Sequence, residues 1–281
     1  MTAVPRHPLH SLGPVHPPQV EKSATEPPIA RHVDIHVRDP LDHDAPAILH
    51  EPRSYSTTEA KRSAVVLVSG AGGGVSGPAG IYPSLADKLA LLLSIPCIRL
   101  DYRQPAHTDY CAADIRASFT YLNRHFSSSH FVLVGWSFSG SPCFTVAAQE
   151  PDRVRGVATV ASQTAHTAGI RQLSPRPVLL MHGTGDRVLS ATCSETLYRA
   201  YGTTGPRELK LFPGDDHGLT WHAPEVERMI LEFAARALGF DVLLNQAVLE
   251  QAGQDLVGSR DERIREMQEG HDLEGGERLE G

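Results

Sequence analysis

Cysteine is scarce in this sequence: 4 of 281 residues, Cys97, Cys111, Cys143 and Cys193, with no CxxC pair. Thiols so few and so far apart exclude a disulfide-stapled scaffold and a zinc ribbon, and read as reduced thiols of an intracellular chain. Basic charge is also short. The formal net charge is −7, and ten acids against four arginines, a balance of −6, fall between Glu250 and Gly281. The remainder is close to neutral, without the cationic stripe that nucleic acid requires. Long apolar runs are missing too. The longest, LALLLSIPCI, is interrupted by Pro96 and is too short to span a bilayer. The opening MTAVPRHPLH lacks the apolar core of a signal peptide. The expectation is a soluble cytoplasmic protein with no nucleic-acid partner and no membrane span.

What is present begins with an arm. Residues 1–30 hold seven prolines and three histidines with little to bury, the composition of a disordered segment. No metal site is expected, because the histidines of the arm are irregularly spaced and His32 and His36, on one face of a strand, lack a third ligand. From Arg31 the pattern changes. RHVDIHV and PAILHEP, separated by the turn-rich DPLDHDA, predict an antiparallel hairpin. Buried-strand runs then alternate with helical stretches: AVVLVSG, a helix over 81–93, PCIRLDY, a helix over 111–126, HFVLVGW, SGSPCFTVAAQ as a helix, VRGVATVAS, RPVLLMHG, a helix near 194–201 and RELKLFPG. A closing helix runs from Pro224 to Gly239 with Val226, Met229, Ile230, Phe233, Ala234 and Ala237 on one stripe. Such alternation predicts an α/β fold with a mostly parallel sheet covered on both faces. The reading is one domain over 31–240, then a short helix within 241–281 and an acidic, solvated tail.

The chemistry centres on GWSFSG, residues 135–140. It lies where a buried strand gives way to a helix, the place where a sharp turn lifts a hydroxyl above the sheet. Gly135 and Ser137 fit the GxSxG pattern, whereas Ser139 replaces the second glycine and Gly140 follows it. Ser137 is the candidate nucleophile and Ser139 the rival. A hydroxyl needs a base, and the base needs an orienting acid. Asp186 follows the strand in LLMHGTGDRV, and His217 follows the last strand in LFPGDDHGL. Both loops open on the carboxyl edge of the sheet, with Ser137. Asp215 and Asp216 are the alternative acids, poorly placed because they adjoin His217 in sequence. The backbone N–H of Phe138 is one candidate oxyanion donor. The loop SGAGGGVSG offers the second, from Ala71 or else Gly72.

GWSFSG, HGTGDRV and DDHGL together resemble the α/β-hydrolase superfamily over roughly 210 residues, and in particular its small uncapped, dienelactone-hydrolase-like serine esterases. The resemblance implies a Ser–His–Asp hydrolase in which Asp186 holds His217 and His217 deprotonates Ser137, with no cofactor. Dienelactone hydrolase carries cysteine at the position of Ser137, so its substrate is not implied. LDYRQ is similar to the family's stretch after the fourth strand, where Asp101 and Arg103 read as structural. The segment between strands 154–162 and 177–183 is too short for a helical lid. An open cleft bordered by Phe138, Gly72, Leu219 and Trp221 is expected, fitting a small or medium acyl ester or thioester. Three alternatives stand beside this reading. The same triad serves acyltransferases and peptidases, and a hydrolase fold can act as a non-catalytic receptor or scaffold. GGGVSG with Asp101 also matches a dinucleotide fingerprint, although Pro78 falls where its helix should be under way.

Overall fold

The structure, a computed structural model, describes residues 28–102, 104 and 106–254. The arm up to residue 27, Arg103 and the acidic tail from residue 255 lie outside the described residues. Strands β1 (Ile29–Val37) and β2 (His43–Glu51) form the antiparallel hairpin, with Ile29 opposite Glu51 and Val37 opposite His43. Six strands follow: β3 (Ser63–Val68), β4 (Cys97–Leu100), β5 (His130–Trp136), β6 (Val154–Val160), β7 (Val178–Gly183) and β8 (Arg207–Phe212). Between and after them run α1 (Tyr82–Leu92), α2 (Thr108–Phe126), α3 (Gly140–Gln149), α4 (Thr192–Tyr201), α5 (Ala223–Ala237) and α6 (Gln246–Ala252).

The strands make one sheet in the order β1-β2-β4-β3-β5-β6-β7-β8. β2 meets β4 antiparallel, and every pairing from β4 to β8 is parallel. Because both faces are covered, β3 and β5 are apolar at successive residues rather than at alternate ones. Val66, Val68 and Leu133 pack with Ile115, Phe119 and Leu122 of α2 and Phe144 of α3. Val65, Leu67, Val132 and Val134 pack on the other face with Leu85 and Leu89 of α1 and Val226, Ile230 and Ala234 of α5. Met229, Phe233 and Ala237 complete the α5 stripe as partly buried neighbours.

Residues 241–252 are mostly exposed, but Leu244 packs partly against the core and Ala252 reaches into it. Ala252 is fully buried, and its carbonyl accepts a hydrogen bond of 2.8 Å from Lys88 Nζ. The same buried ammonium pairs with Glu227 of α5 at 2.6 Å. No helix among the described residues is long and apolar enough to cross a membrane. The parallel strands β3 to β8 all point their carboxyl ends to one edge, and the loops after them hold every candidate residue.

Candidate active site

β5 ends at Trp136, and the chain turns through Ser137 with φ of 57° before α3 begins at Gly140. A left-handed backbone at a residue with a Cβ is strained, and it raises the Ser137 side chain out of the strand line. Glycine at 135 is a steric necessity, since a Cβ there would lie 2.9 Å from the carbonyl carbon and oxygen of Ser139. At 140 it would meet Ser162 Oγ at 1.9 Å. Ser139 is fully buried, and its Oγ is engaged by the Ser69 carbonyl and by the Tyr102 hydroxyl at 3.0 Å. Ser137 keeps 5% exposure.

Asp186 and His217 are brought together. Asp186 Oδ2 lies 2.7 Å from His217 Nδ1. The other carboxylate oxygen accepts from the N–H groups of Val188 at 2.7 Å and Leu189 at 2.9 Å. A further donor escaped the sequence reading: His182, buried at the end of β7, places Nε2 3.1 Å from Asp186 Oδ2. That nitrogen also faces the Leu189 carbonyl at 3.0 Å, so it carries the hydrogen, and Nδ1 meets the Ser194 hydroxyl at 2.8 Å. Burial alone would raise the Asp186 carboxyl. The bonds from His182 and His217, the His217 charge and the Leu189 N–H outweigh it and hold the pKa well below the usual carboxylate range.

With Nδ1 turned to Asp186, His217 leaves Nε2 buried and without a hydrogen-bond partner among the described residues. The His217 backbone is tied to the end of β5 just before the turn at Ser137, because Trp136 Nε1 donates to the His217 carbonyl at 3.0 Å. The alternative acids do other work. Asp215 accepts from the His222 ring at 2.7 Å and from the N–H groups of Trp221 and His222, and Asp216 accepts from Gly218 and Thr220, both at 3.0 Å. They shape the loop that carries His217.

Ala71 and Phe138 line one cleft of about 1070 Å³, together with Gln163, His107, Thr108 and His166. Gln163 is anchored to the turn at Ser137 by its N–H, which donates to the Ser137 carbonyl at 3.2 Å. Gly72 follows Ala71, partly exposed. Leu219 does not border the cleft. It is fully buried in the core shared by α1 and α5, because its φ of 55° folds the loop inward. Trp221, at 73% exposure, stands in solvent. Asp101 is not free for a ribose either: its carboxylate accepts the Gly74 N–H at 2.7 Å, and the glycine loop enters a single turn at Pro78–Gly80 before α1. A separate groove of about 790 Å³ between β8 and α5 contains none of these residues.

The model of the α/β hydrolase fold matches residues 63–192. Among curated proteins none matches the chain. The solved structure of Est1E from Butyrivibrio proteoclasticus is similar, with a TM-score of 0.62 and 16% identity over 74% of this chain and 99% of that one. The esterase domain of a Rhodothermus marinus protein has a TM-score of 0.59 and 17% identity over 75% of this chain and 100% of its own. Dienelactone hydrolase from Anabaena variabilis has a TM-score of 0.59 and 16% identity, over 74% and 99%.

Proposed function

We propose that this chain, which has the α/β-hydrolase fold, is a serine hydrolase that cleaves a small or medium acyl ester. The observation that carries the reading is His217: Nδ1 is held by the Asp186 carboxylate while Nε2 is buried with no partner among the described residues. An imidazole so arranged presents its lone pair as a base.

In this mechanism Ser137 Oγ attacks the acyl carbonyl carbon while His217 Nε2 takes the hydroxyl proton. The carboxylate of Asp186 faces the imidazolium that results, and the N–H groups of Phe138 and Ala71 receive the charge on the carbonyl oxygen. Collapse breaks the bond to the leaving alcohol, which departs with the proton from His217. Water then attacks the acyl-enzyme, His217 takes one of its protons, and release of the acid returns that proton to Ser137. The cleft beside Ala71 and Phe138 receives the acyl or alcohol group.

A fluorophosphonate mimics the tetrahedral state and should label Ser137 alone, as read by mass spectrometry of the intact chain and its peptides. Ser137→Ala should abolish the label and lower ester hydrolysis by about 10⁴-fold or more. Well-folded protein that takes no label and turns over no ester would instead be a ligand receptor.

A further inference from the structure

We infer that the Ser139 hydroxyl and Tyr102 are positioning residues that lock the nucleophile turn to the loop bearing the second oxyanion donor. The inference rests on the serine-hydrolase reading and adds to it the device that holds two separate backbone segments at a fixed spacing.

Ser139 stands where the GxSxG pattern has its second glycine, and its side chain is put to use. Its hydroxyl donates to the carbonyl of Ser69, the first residue after β3 and two before Ala71. A serine hydroxyl has one hydrogen, so the Tyr102 hydroxyl, 3.0 Å away, must be the donor to Ser139 Oγ. Burial first, with nearby Cys111 and Cys143 acting the same way, holds the Tyr102 phenol well above its ordinary pKa and keeps it a donor. The Tyr102 ring also meets the Phe138 ring edge-on, with centroids 6.2 Å apart at 84°. Tyr102 thus touches the residue of the first oxyanion donor and, through Ser139, the root of the second.

The loop needs such a tether. Gly72, Gly73 and Gly74 run consecutively, with φ of 78° at Gly73 and 87° at Gly74. Three glycines in a row have wide conformational freedom, which would let a donor wander from the position where charge develops. The far side of the loop is fixed from the same strand end: Asp101 accepts the Gly74 N–H at 2.7 Å, and Arg99 donates to the Val75 carbonyl at 3.1 Å. On the near side the Gly73 N–H closes a turn onto the Gly70 carbonyl at 3.0 Å, and Ser139 with Tyr102 ties the root of that turn to the turn at Ser137.

The test uses the full chain, p-nitrophenyl acetate as substrate and a phenylboronic acid as the tetrahedral mimic. Ser139→Ala, Ser139→Gly and Tyr102→Phe should each lower kcat by about 10- to 100-fold, less than the ~10²–10³ for deleting a donor outright. KM should change by less than about threefold, and boronate affinity should fall in parallel with kcat, as expected for an interaction realised in the transition state. The double variant Ser139→Ala with Tyr102→Phe should be little worse than either single one, because both break one tether. Fluorophosphonate should still label Ser137 in every variant, more slowly. Should Ser139→Ala fail to fold, Tyr102→Phe, which removes only an oxygen, carries the test. Labelled wild type with folded variants of unchanged kcat and boronate affinity would overturn the tether alone. Wild type that takes no label and hydrolyses no ester would overturn the hydrolase reading and the tether with it.

Discussion

One carboxylate oxygen, Oδ2 of Asp186, receives two imidazoles, His217 at 2.7 Å and His182 at 3.1 Å. Its depressed pKa makes Asp186 a source of pH-dependent stability. A carboxyl whose folded pKa lies below its unfolded value stabilises the fold above that value, and the contribution is lost as pH falls. Asp186→Asn should therefore melt below wild type at pH 7. The gap should begin to narrow as the pH drops below about 4, near the unfolded carboxyl pKa, and close only as the pH falls through the much lower folded pKa. Thermal melts of both proteins at pH 7 and pH 3 measure this; a gap that persists unchanged at pH 3 would place the effect elsewhere. That Asp186 and His217 stand on loops at one sheet edge was legible in the sequence, because each follows a buried strand of the parallel series. The place of His182 beside Asp186 was not. A histidine on a buried strand looks the same in sequence whether it packs or donates, although its place four residues before Asp186 in HGTGD is the signal that was available.

Among the elements, the two loops that carry Asp186 and His217 approach each other across glycines. A Cβ at Gly183 would lie 2.2 Å from the Asp215 carbonyl oxygen and 2.5 Å from that of Asp216, and one at Gly185 would lie 2.4 Å from that of Gly214. These are backbone atoms, which cannot swing aside as a side chain would. Gly183→Ala should push the 214–217 loop away, with a loss of about 1–3 kcal/mol of stability and of Ser137 labelling by fluorophosphonate. Gly253→Ala, where the new methyl meets nothing closer than 3.5 Å, is the control and should change neither. Labelling that survives in Gly183→Ala would mean that His217 tolerates displacement. Most strands and helices were readable as elements, because runs such as AVVLVSG and HFVLVGW belong to strands buried on both faces. Leu219 shows the limit: its apolar side chain follows His217 closely enough to suggest a cleft wall, yet a left-handed turn sends it into the core.

At the scale of the whole molecule, α6 closes the face made by α1 and α5. Lys88, Glu227 and the Ala252 carbonyl form a buried group that α6 completes. A chain ending at residue 254 should melt with the full-length protein, since the tail beyond lacks the apolar content to pack. A chain ending at residue 244 should melt lower by roughly 4–10 °C, the scale of losing a charged hydrogen bond and buried apolar contact in a domain of this size. Calorimetry of the two truncated chains decides; equal melting temperatures would remove α6 from the folded core.

The sequence by itself determined the class of the fold, the approximate place of its strands and helices, and the three loops on which a serine, an aspartate and a histidine fall. Those follow from local chemistry: apolar runs, glycine at tight turns, and reactive types at strand ends. Only the tertiary structure decided that β4 lies between β2 and β3, and that α6 reaches the core through Ala252. It also assigned the companions: His182 to Asp186, Asp215 and Asp216 to the loop backbone, and Ser139 to the joint between two loops. These pairings join residues far apart in the chain, such as Ser69 with Ser139 and Lys88 with Ala252, whose nearness depends on how the sheet stacks its strands. No spacing within one segment can encode that.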